Sequence, residues 1–172
     1  MSGTRLGKGG TEIDRARPLA FTFDGRRIEG FAGDTIASAL LAAGQKVVGR
    51  SFKYHRPRGI WGAGVEEPNA LLDIIGPAGR VPNARATTER AQGGLVVRSV
   101  NASPSAAADR DAFLDPLARF IPAAFYYKPF MWPAAFWEKL YEPLIRRAAG
   151  LGRAAGKDDP DHYEKVSAFC DV

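Results

Sequence analysis

The sequence is poor in the side chains that build metal centres and disulfides. It contains one cysteine, Cys170, and two histidines, His55 and His162, among 172 residues. A single thiol excludes an intramolecular disulfide and every all-cysteine metal site. The histidines are far apart in the sequence, and neither lies in a helical ligand pair. We therefore expect no metal site, and no nucleophilic role for Cys170, which has no base beside it in the sequence.

Long apolar segments are missing as well. No run approaches the roughly 20 apolar residues that a membrane-spanning helix needs, and residues 1–17 lack the apolar stretch of a secretory signal. These absences predict a soluble, cytoplasmic protein without a membrane partner. The sequence also lacks a G-x-G-x-x-G turn followed by a helix, so we do not expect it to form a dinucleotide-phosphate site by itself.

What is present is a basic chain with enough apolar residues for a core. Apolar residues make up 45% of the sequence, and the formal net charge is +5. The first value is sufficient for one ordinary domain or a small domain with an appendage. The second favours an acidic partner, which could be nucleic acid, an anionic cofactor or another subunit.

The clearest local signal is a β-hairpin near the N-terminus. Residues 19–23 and 26–31 alternate apolar and polar side chains, as half-buried strands do. The dipeptide Asp24-Gly25 between them suits the positive φ angles of a type I′ turn. Later strands are predicted from their β-branched and apolar content at 46–48, 70–75, 84–88 and 95–100.

A short helix is predicted directly after the hairpin, over residues 35–43. Ile36 and Leu40 share one face of this helix at helical spacing. Asp34 is its expected N-cap, and Gly44 can take the left-handed position that ends it. Two strands followed by a helix that packs across them open a β-grasp fold of the α+β class. We expect this domain over residues 15–100.

Less regular regions flank the predicted domain. Residues 1–14 are polar and without periodicity, which predicts a flexible arm. Residues 101–157 begin with a Ser-Pro-Ala connector and are predicted to be a helical, aromatic-rich extension, with helices at 109–120 and 134–149. Pro143 should kink or divide the second helix.

Two segments of this chain closely resemble one enzyme family. The first runs Gly49-Arg-Ser-Phe-Lys-Tyr-His-Arg-Pro-Arg-Gly-Ile60 and continues as Gly64-Val-Glu-Glu-Pro-Asn-Ala-Leu71. The second is the aromatic block from Phe125 to Gly152. By these residues the chain resembles the N-terminal domain of the alpha subunits of heterotetrameric sarcosine oxidases.

The resemblance implies part of an enzyme that oxidatively demethylates sarcosine to glycine. Its complex would use FAD, FMN and NAD and release hydrogen peroxide. Its partners would be the beta, gamma and delta subunits and the remaining alpha domains, which capture the one-carbon unit on tetrahydrofolate. Residues 158–172 would be a truncated lead-in to an absent dinucleotide-binding domain. On this interpretation the chain is a fragment, a split product or a remnant that binds no cofactor alone and is inactive when isolated.

A related group of flavoprotein dehydrogenase subunits carries the motif C-G-x-G-x-C-x-x-C, whose thiolates hold a two-iron cluster. In this sequence the motif glycines fall on Gly62 and Gly64. The three ligand positions fall on Trp61, Glu66 and Asn69. Because indole cannot ligate iron and no thiolate remains nearby, the resemblance implies a ferredoxin-like domain without its cluster.

The loop within residues 45–63 concentrates positive charge, with aromatic side chains between the cations and no acid. Its cations are Lys46, Arg50, Lys53, Arg56 and Arg58. Such a loop could contact another subunit, a flavin or dinucleotide, or only solvent. Arg56 and Arg58 are the predicted anion or flavin contacts. Lys53, Tyr54 and His55 are the predicted partner contacts.

Two further groups complete the candidate residues. Glu66 and Glu67 are adjacent, and neighbours on an extended segment point to opposite sides, so we predict salt bridges to the basic loop rather than an acid and base pair. Phe125, Trp132 and Trp137 are predicted partner contacts, because aromatic residues are enriched at interfaces. Flavin stacking is the alternative for this aromatic block.

Two other functions are compatible with these residues. The chain could be a subunit or fragment of a related FAD-dependent amine, proline or opine dehydrogenase complex. It could also be a free-standing basic adaptor that binds nucleic acid, in which case its binding would depend steeply on salt. We rank both below the sarcosine oxidase interpretation, under which no nucleic-acid partner is expected.

Overall fold

The structure is a computed structural model that describes residues 4–121, 130–150, 154–156 and 164–169. The predicted partner contact Phe125 and the single cysteine, Cys170, lie outside these ranges. So does most of the predicted lead-in at 158–172.

Seven strands and two α-helices are found in the described ranges. The strands are β1 (Asp14–Phe23), β2 (Arg26–Ala32), β3 (Gly49–Arg50), β4 (Pro57–Arg58), β5 (Leu71–Gly76), β6 (Gly79–Arg85) and β7 (Val96–Ser99). The α-helices are α1 (Ile36–Ala42) and α2 (Glu142–Ala149). Short 3-10 turns lie at Arg110–Leu114, Ala118–Phe120 and Ala134–Phe136, and a π-helical turn lies at Trp137–Tyr141.

The main sheet has five strands in the order β2-β1-β7-β5-β6. Strands β1 and β7 run parallel at its centre, and every other neighbouring pair is antiparallel. Strands β3 and β4 form a separate two-stranded ribbon. A central parallel pair flanked by two hairpins, with a helix after the first hairpin, is the β-grasp arrangement. The predicted α+β fold is confirmed.

The first hairpin turns where the sequence predicts. Asp24 and Gly25 have φ angles of 47° and 81°, the positive values that a type I′ turn requires. The Asp24 carboxylate also accepts hydrogen bonds from Ser99 N (2.8 Å), at the end of β7, and from Ala106 N (2.8 Å). The turn is thereby tied to the end of β7 and to the extension beyond it.

The apolar face of α1 forms the core against the sheet. Ile36, Ala39 and Leu40 are fully buried, and burial of a side chain of the size of leucine contributes roughly 1.5–3 kcal/mol. The sheet supplies the opposite wall of this core through Phe21, Phe23, Ile28, Leu72 and Val97. Gly44 has a φ of 75° and ends the helix as predicted.

The entry to α1 differs from the prediction. Thr35, not Asp34, is the N-cap, and its Oγ1 accepts from Ser38 N at 3.1 Å. The Asp34 carboxylate is fully buried and accepts instead from the Arg5 guanidinium (2.7 Å), from Phe31 N (2.8 Å) and from the Ser38 hydroxyl (2.6 Å). Arg5, which lies 29 positions before Asp34 in the sequence, therefore binds the carboxylate that we expected to cap the helix.

The N-terminal segment from residue 4 contacts α1. Thr4 N donates to Ala42 O at 2.9 Å, and the Thr4 hydroxyl donates to Leu41 O at 2.6 Å. Together with the ion pair of Arg5, these bonds hold the beginning of the predicted arm on the helix.

The extension after residue 100 is less regular than its apolar spacing predicts. The helix expected at 109–120 is two separate 3-10 turns. The helix expected at 134–149 is divided, as Pro143 predicts, because α2 begins at Glu142 and the proline lies in its first turn. Among the helices of the described ranges, none has the length and apolar character needed to cross a membrane.

Candidate functional site

The basic loop folds as the small ribbon of β3 and β4. Ser51 N donates to Arg56 O at 2.9 Å, and Arg56 N donates to the Ser51 hydroxyl at 3.0 Å. His55 lies in the connecting turn with a φ of 51°, a left-handed conformation that is uncommon for residues other than glycine. The expected strand at 46–48 is shifted, because the paired residues are Gly49 and Arg50.

Arg50 connects this ribbon to the segment after β7. Its guanidinium donates to the carbonyl oxygens of Ala106 (2.7 Å), Ala107 (3.2 Å) and His55 (3.0 Å). Its backbone is held by Asn101, whose side chain accepts from Arg50 N at 3.0 Å and donates to Arg50 O. Arg50 therefore stabilises the fold through hydrogen bonds within the chain.

The predicted anion contacts, Arg56 and Arg58, differ in their surroundings. Arg56 Nε donates to Asp115 Oδ1 at 2.6 Å, and this hydrogen bond raises the pKa of the guanidinium above its usual value. Its guanidinium carbon also lies 4.9 Å from the centre of the Tyr54 ring. Arg58 is exposed on β4 and makes no ion pair with any residue that the structure describes.

The predicted partner contacts Lys53 and Tyr54 lie side by side. Lys53 Nζ is 4.9 Å from the centre of the Tyr54 ring, a distance at which a cation is attracted to the ring face. The Tyr54 hydroxyl donates to Ile121 O at 3.1 Å. Tyr54 therefore contacts cations on its ring and the extension through its hydroxyl.

His55 is buried, in contrast to the other partner contacts predicted in this loop. Its Nδ1 lies 2.6 Å from Oδ2 of the buried Asp109, and Asp109 Oδ1 accepts from Ser103 N at 3.1 Å. Asp111 completes a group whose potential ligand atoms lie within 4.8 Å of one another. The sequence does not reveal this group, because its members come from the loop and from the extension and no fixed spacing joins them.

The segment at the expected cluster-ligand positions is organised by two carboxylates. Glu67 Oε2 accepts from Trp61 N (2.6 Å) and from Gly62 N, and its Oε1 accepts from Asn69 N (2.7 Å) and Ala70 N (3.1 Å). The Glu67 side chain is fully buried. Burial raises the pKa of this carboxyl, but the four backbone donors outweigh that effect and hold the pKa below its usual value.

The Glu66 carboxylate also accepts hydrogen bonds from backbone amides, but from two of them instead of four. Its Oε1 accepts from Ala63 N and Gly64 N, both at 3.0 Å, and backbone hydrogen bonds lower its pKa. The prediction that Glu66 and Glu67 form salt bridges to the basic loop is wrong, because backbone amides take up both carboxylates. All of the amide donors belong to the same segment, residues 61–70, so neither carboxylate needs a cation from elsewhere in the chain.

The aromatic contacts predicted in the extension are exposed. Trp132 has 82% of its surface exposed, and Trp137 has 47%. The Tyr141 hydroxyl donates to Trp132 O at 3.0 Å, and the Tyr141 ring centre lies 5.3 Å from that of Phe130. The structure does not bring these tryptophans into contact with the basic loop in any interaction found among the described residues.

Residues 16–102 match the family described as 2Fe-2S iron-sulfur cluster binding domain. This chain belongs to that family. The ferredoxin-like β-grasp interpretation is therefore supported by sequence and by sheet order together. The matched range begins within β1 and ends just after β7, so it covers all of the five-stranded sheet except the first two residues of β1.

The curated relatives are alpha subunits of one enzyme. The chain is 59% identical over 173 residues to sarcosine oxidase subunit alpha of Rhizobium meliloti (strain 1021), which covers 100% of this chain and 17% of the relative. It is 56% identical over 62 residues to sarcosine oxidase subunit alpha of Corynebacterium sp. (strain P-1), covering 36% of this chain and 6% of the relative. The predicted resemblance is confirmed, and the chain spans about a sixth of the length of the first relative.

One solved structure is similar at a low level. The crystal structure of L-proline dehydrogenase from P. horikoshii aligns with a TM-score of 0.40 and 21% identity, over 50% of this chain and 16% of that chain.

The family name implies a two-iron cluster, and the residues present do not fit one. Such clusters are held by cysteine thiolates, whereas the ligand positions carry Trp61, Glu66 and Asn69. The Glu66 carboxylate is already bound by two backbone amides. The Trp61 and Asn69 amides both donate to Glu67, so the centre of the segment is filled by a side chain of the protein.

Proposed function

We propose that this chain is the N-terminal assembly module of a flavoenzyme that oxidises sarcosine. The observation that carries the proposal is the 59% identity to sarcosine oxidase subunit alpha along the whole chain. In this function the chain docks on the remaining alpha domains and on the beta, gamma and delta subunits in the cytoplasm. The complex uses FAD, FMN and NAD, and the chain alone holds none of them.

The exposed surface of the extension supports docking. Met131, Trp132, Phe136 and Trp137 all leave about half or more of their surface exposed. Exposed apolar side chains that cluster in this way mark interaction sites, and tryptophan is prominent among residues that dominate binding energy. We assign the extension from 130 to 141 as the main partner surface.

The basic loop supports a second, electrostatic contact. Arg58 is exposed on a ribbon that internal bonds hold in place, so its charge is available to an anionic group of the complex. We propose that Arg58 contacts a flavin or dinucleotide phosphate. Arg56 is engaged by Asp115 and Tyr54, and it contributes mainly by fixing the shape of the loop.

In the proposed function, this chain positions the docked subunits and anionic groups and takes no part in the oxidation itself. The flavins supply the chemistry, which removes a hydride equivalent from the amine and passes electrons to oxygen. The contribution of the chain is to exclude water from the docked surface through its aromatic side chains and to orient anions through Arg58.

The docking surface is tested by co-purification. The tagged 172-residue chain is co-expressed with the remainder of alpha and the beta, gamma and delta subunits, and flavin absorbance in the eluate measures capture. Trp132→Ala with Trp137→Ala should reduce captured flavin at least tenfold, because central aromatic residues each contribute about 2 kcal/mol or more. Leu41→Ala, an exposed apolar change on α1, is the matched control. Equal capture by the tryptophan variant and the control would contradict the assigned surface.

The anion contact is tested in the same complex. Arg58→Ala should lower the flavin content or the dinucleotide affinity, and the loss should shrink at high salt because screening weakens the contact in the parent protein. Arg98→Ala removes an exposed cation on β7 and serves as the control. If the two variants retain the same cofactor content at low salt, Arg58 has no such role.

A further inference from the structure

The segment 61–70 folds around a single buried carboxylate. Four backbone N–H groups, from Trp61, Gly62, Asn69 and Ala70, point at the two oxygens of Glu67. Two donors precede the glutamate in the sequence and two follow it, so the peptide closes around its own side chain. Backbone amides that converge in this way form an anion-binding concavity.

The charge of this carboxylate is compensated by dipoles. A buried ionised carboxylate is costly unless it is paired or hydrogen-bonded, and Glu67 is fully buried. No Lys or Arg of the described ranges lies within ion-pair distance of its carboxylate. The nearby Arg85 donates through Nε to the Glu67 carbonyl oxygen at 3.1 Å instead. The four amides therefore act in place of a counter-ion.

This anion lies within the residues that align with the cluster-binding motif. Trp61 and Asn69 occupy two of the three expected cysteine positions, and both direct their amides to Glu67. An iron–sulfur cluster bound by thiolates would also bring negative charge to this loop. We infer that the Glu67 carboxylate is a built-in anion that replaces the cluster as the centre of segment 61–70, so that this domain folds without metal.

The neighbouring residues agree with this replacement. Glu66 lies so close to the two motif glycines that a Cβ at Gly62 or Gly64 would meet its carboxylate at 2.8 Å. Both glycines of the cluster motif therefore lie directly against the Glu66 carboxylate. The frame of the loop is kept while the group at its centre has changed from an inorganic cluster to a side chain.

The test compares two adjacent glutamates in the 172-residue chain. Glu67→Gln keeps the shape of the side chain but presents an NH2 group to backbone donors, and we expect it to lower Tm by roughly 10 °C. Glu66→Gln changes an exposed carboxylate with two such bonds, and it should lower Tm by less than half as much. Similar losses in the two variants would overturn the assignment, because Glu67 would then be no more than one surface carboxylate among others.

A rescue measurement separates an anion site from ordinary packing. In Glu67→Ala the four amides are left around an empty space of carboxylate size, and sodium formate should raise Tm above its value in sodium chloride at equal ionic strength. The parent chain and Glu66→Ala should show no difference between the two salts. Absence of a formate effect in a folded Glu67→Ala chain would contradict the anion role. If that variant does not fold, the glutamine comparison decides.

Iron provides an independent readout. Anaerobic incubation of the parent chain with ferric iron and sulfide should leave it without sulfide-to-iron charge-transfer absorption, while a plant-type apo-ferredoxin treated in parallel regains its spectrum. A stoichiometric cluster in the parent chain would show that the carboxylate is displaced by the cofactor, and the inference would fail. This result concerns the domain alone and does not depend on docking to other subunits.

Discussion

The ion pair between Arg5 and Asp34 provides a quantitative test of how the N-terminal segment is anchored. The guanidinium lies 2.7 Å from the carboxylate, and the two side chains are 21% and 0% exposed. Burial raises the pKa of Asp34, but hydrogen bonds from Arg5, Ser38 and Phe31 together hold it below its ordinary value. Removal of Arg5 would leave the buried charge with only its two uncharged donors.

The expected cost follows from that loss. Breaking a buried pair by deleting one partner destabilises a protein by about 3–5 kcal/mol, and we take about 3 kcal/mol because two hydrogen bonds remain. With a urea m-value of about 2 kcal/mol/M, Arg5→Met should lower the unfolding midpoint by about 1.5 M. The assay is urea unfolding followed by far-UV circular dichroism, since the tryptophans of this chain are largely exposed.

The matched control is another arginine paired with an acid. Arg27 and Glu29 lie 3.6 Å apart with 73% and 81% of their side chains exposed, and exposed pairs contribute about 0–1 kcal/mol. Arg27→Met should therefore shift the midpoint by less than about 0.5 M. If Arg5→Met and Arg27→Met give the same shift, the buried ion pair does not anchor the N-terminal segment.

Three further predictions concern the backbone, acid stability and the extension. Gly33→Ala should lower the free energy of unfolding in urea by more than about 1 kcal/mol, because φ is +90° and a Cβ would lie 1.8 Å from a backbone oxygen. Gly25→Ala, where a Cβ would meet open space, should cost less. Equal losses in the two variants would contradict this prediction. The pKa of Glu67 is lowered on folding, so its stabilisation is complete above the unfolded value of about 4.3 and is lost as pH falls through the folded value. Glu67→Gln should flatten the pH dependence of urea unfolding in that range, and an unchanged slope would contradict this. Asp109→Asn removes the buried charge beside His55 and should increase hydrogen exchange in residues 101–121, an effect that unchanged protection would rule out.

Local patterns were sufficient for the first half of the β-grasp domain. The Asp24-Gly25 turn needs positive φ angles that few residues adopt, and the two strands beside it alternate clearly, so the hairpin was predictable. The helix after it was predictable from the spacing of Ile36 and Leu40. Both features depend on residues that are close in sequence, which is the range over which periodicity is informative.

The site could not be predicted in the same way because its contacts are distant in sequence or depend on burial. Arg50 contacts the carbonyl of Ala106, and His55 contacts Asp109 across 54 positions. No spacing rule links such pairs. Glu67 was predicted to form a salt bridge to the basic loop, and acidic residues are rarely fully buried. Its burial became favourable only through four amides whose directions depend on the folded loop.

The most direct test of the proposed function is sarcosine-dependent peroxide release by a complex assembled with and without this chain. The remainder of alpha is expressed with the beta, gamma and delta subunits, and the 172-residue chain is supplied separately. We predict that a yellow, active complex forms only when the chain is present, and that the chain alone gives no peroxide. Equal activity and equal flavin content in its absence would contradict the assembly role.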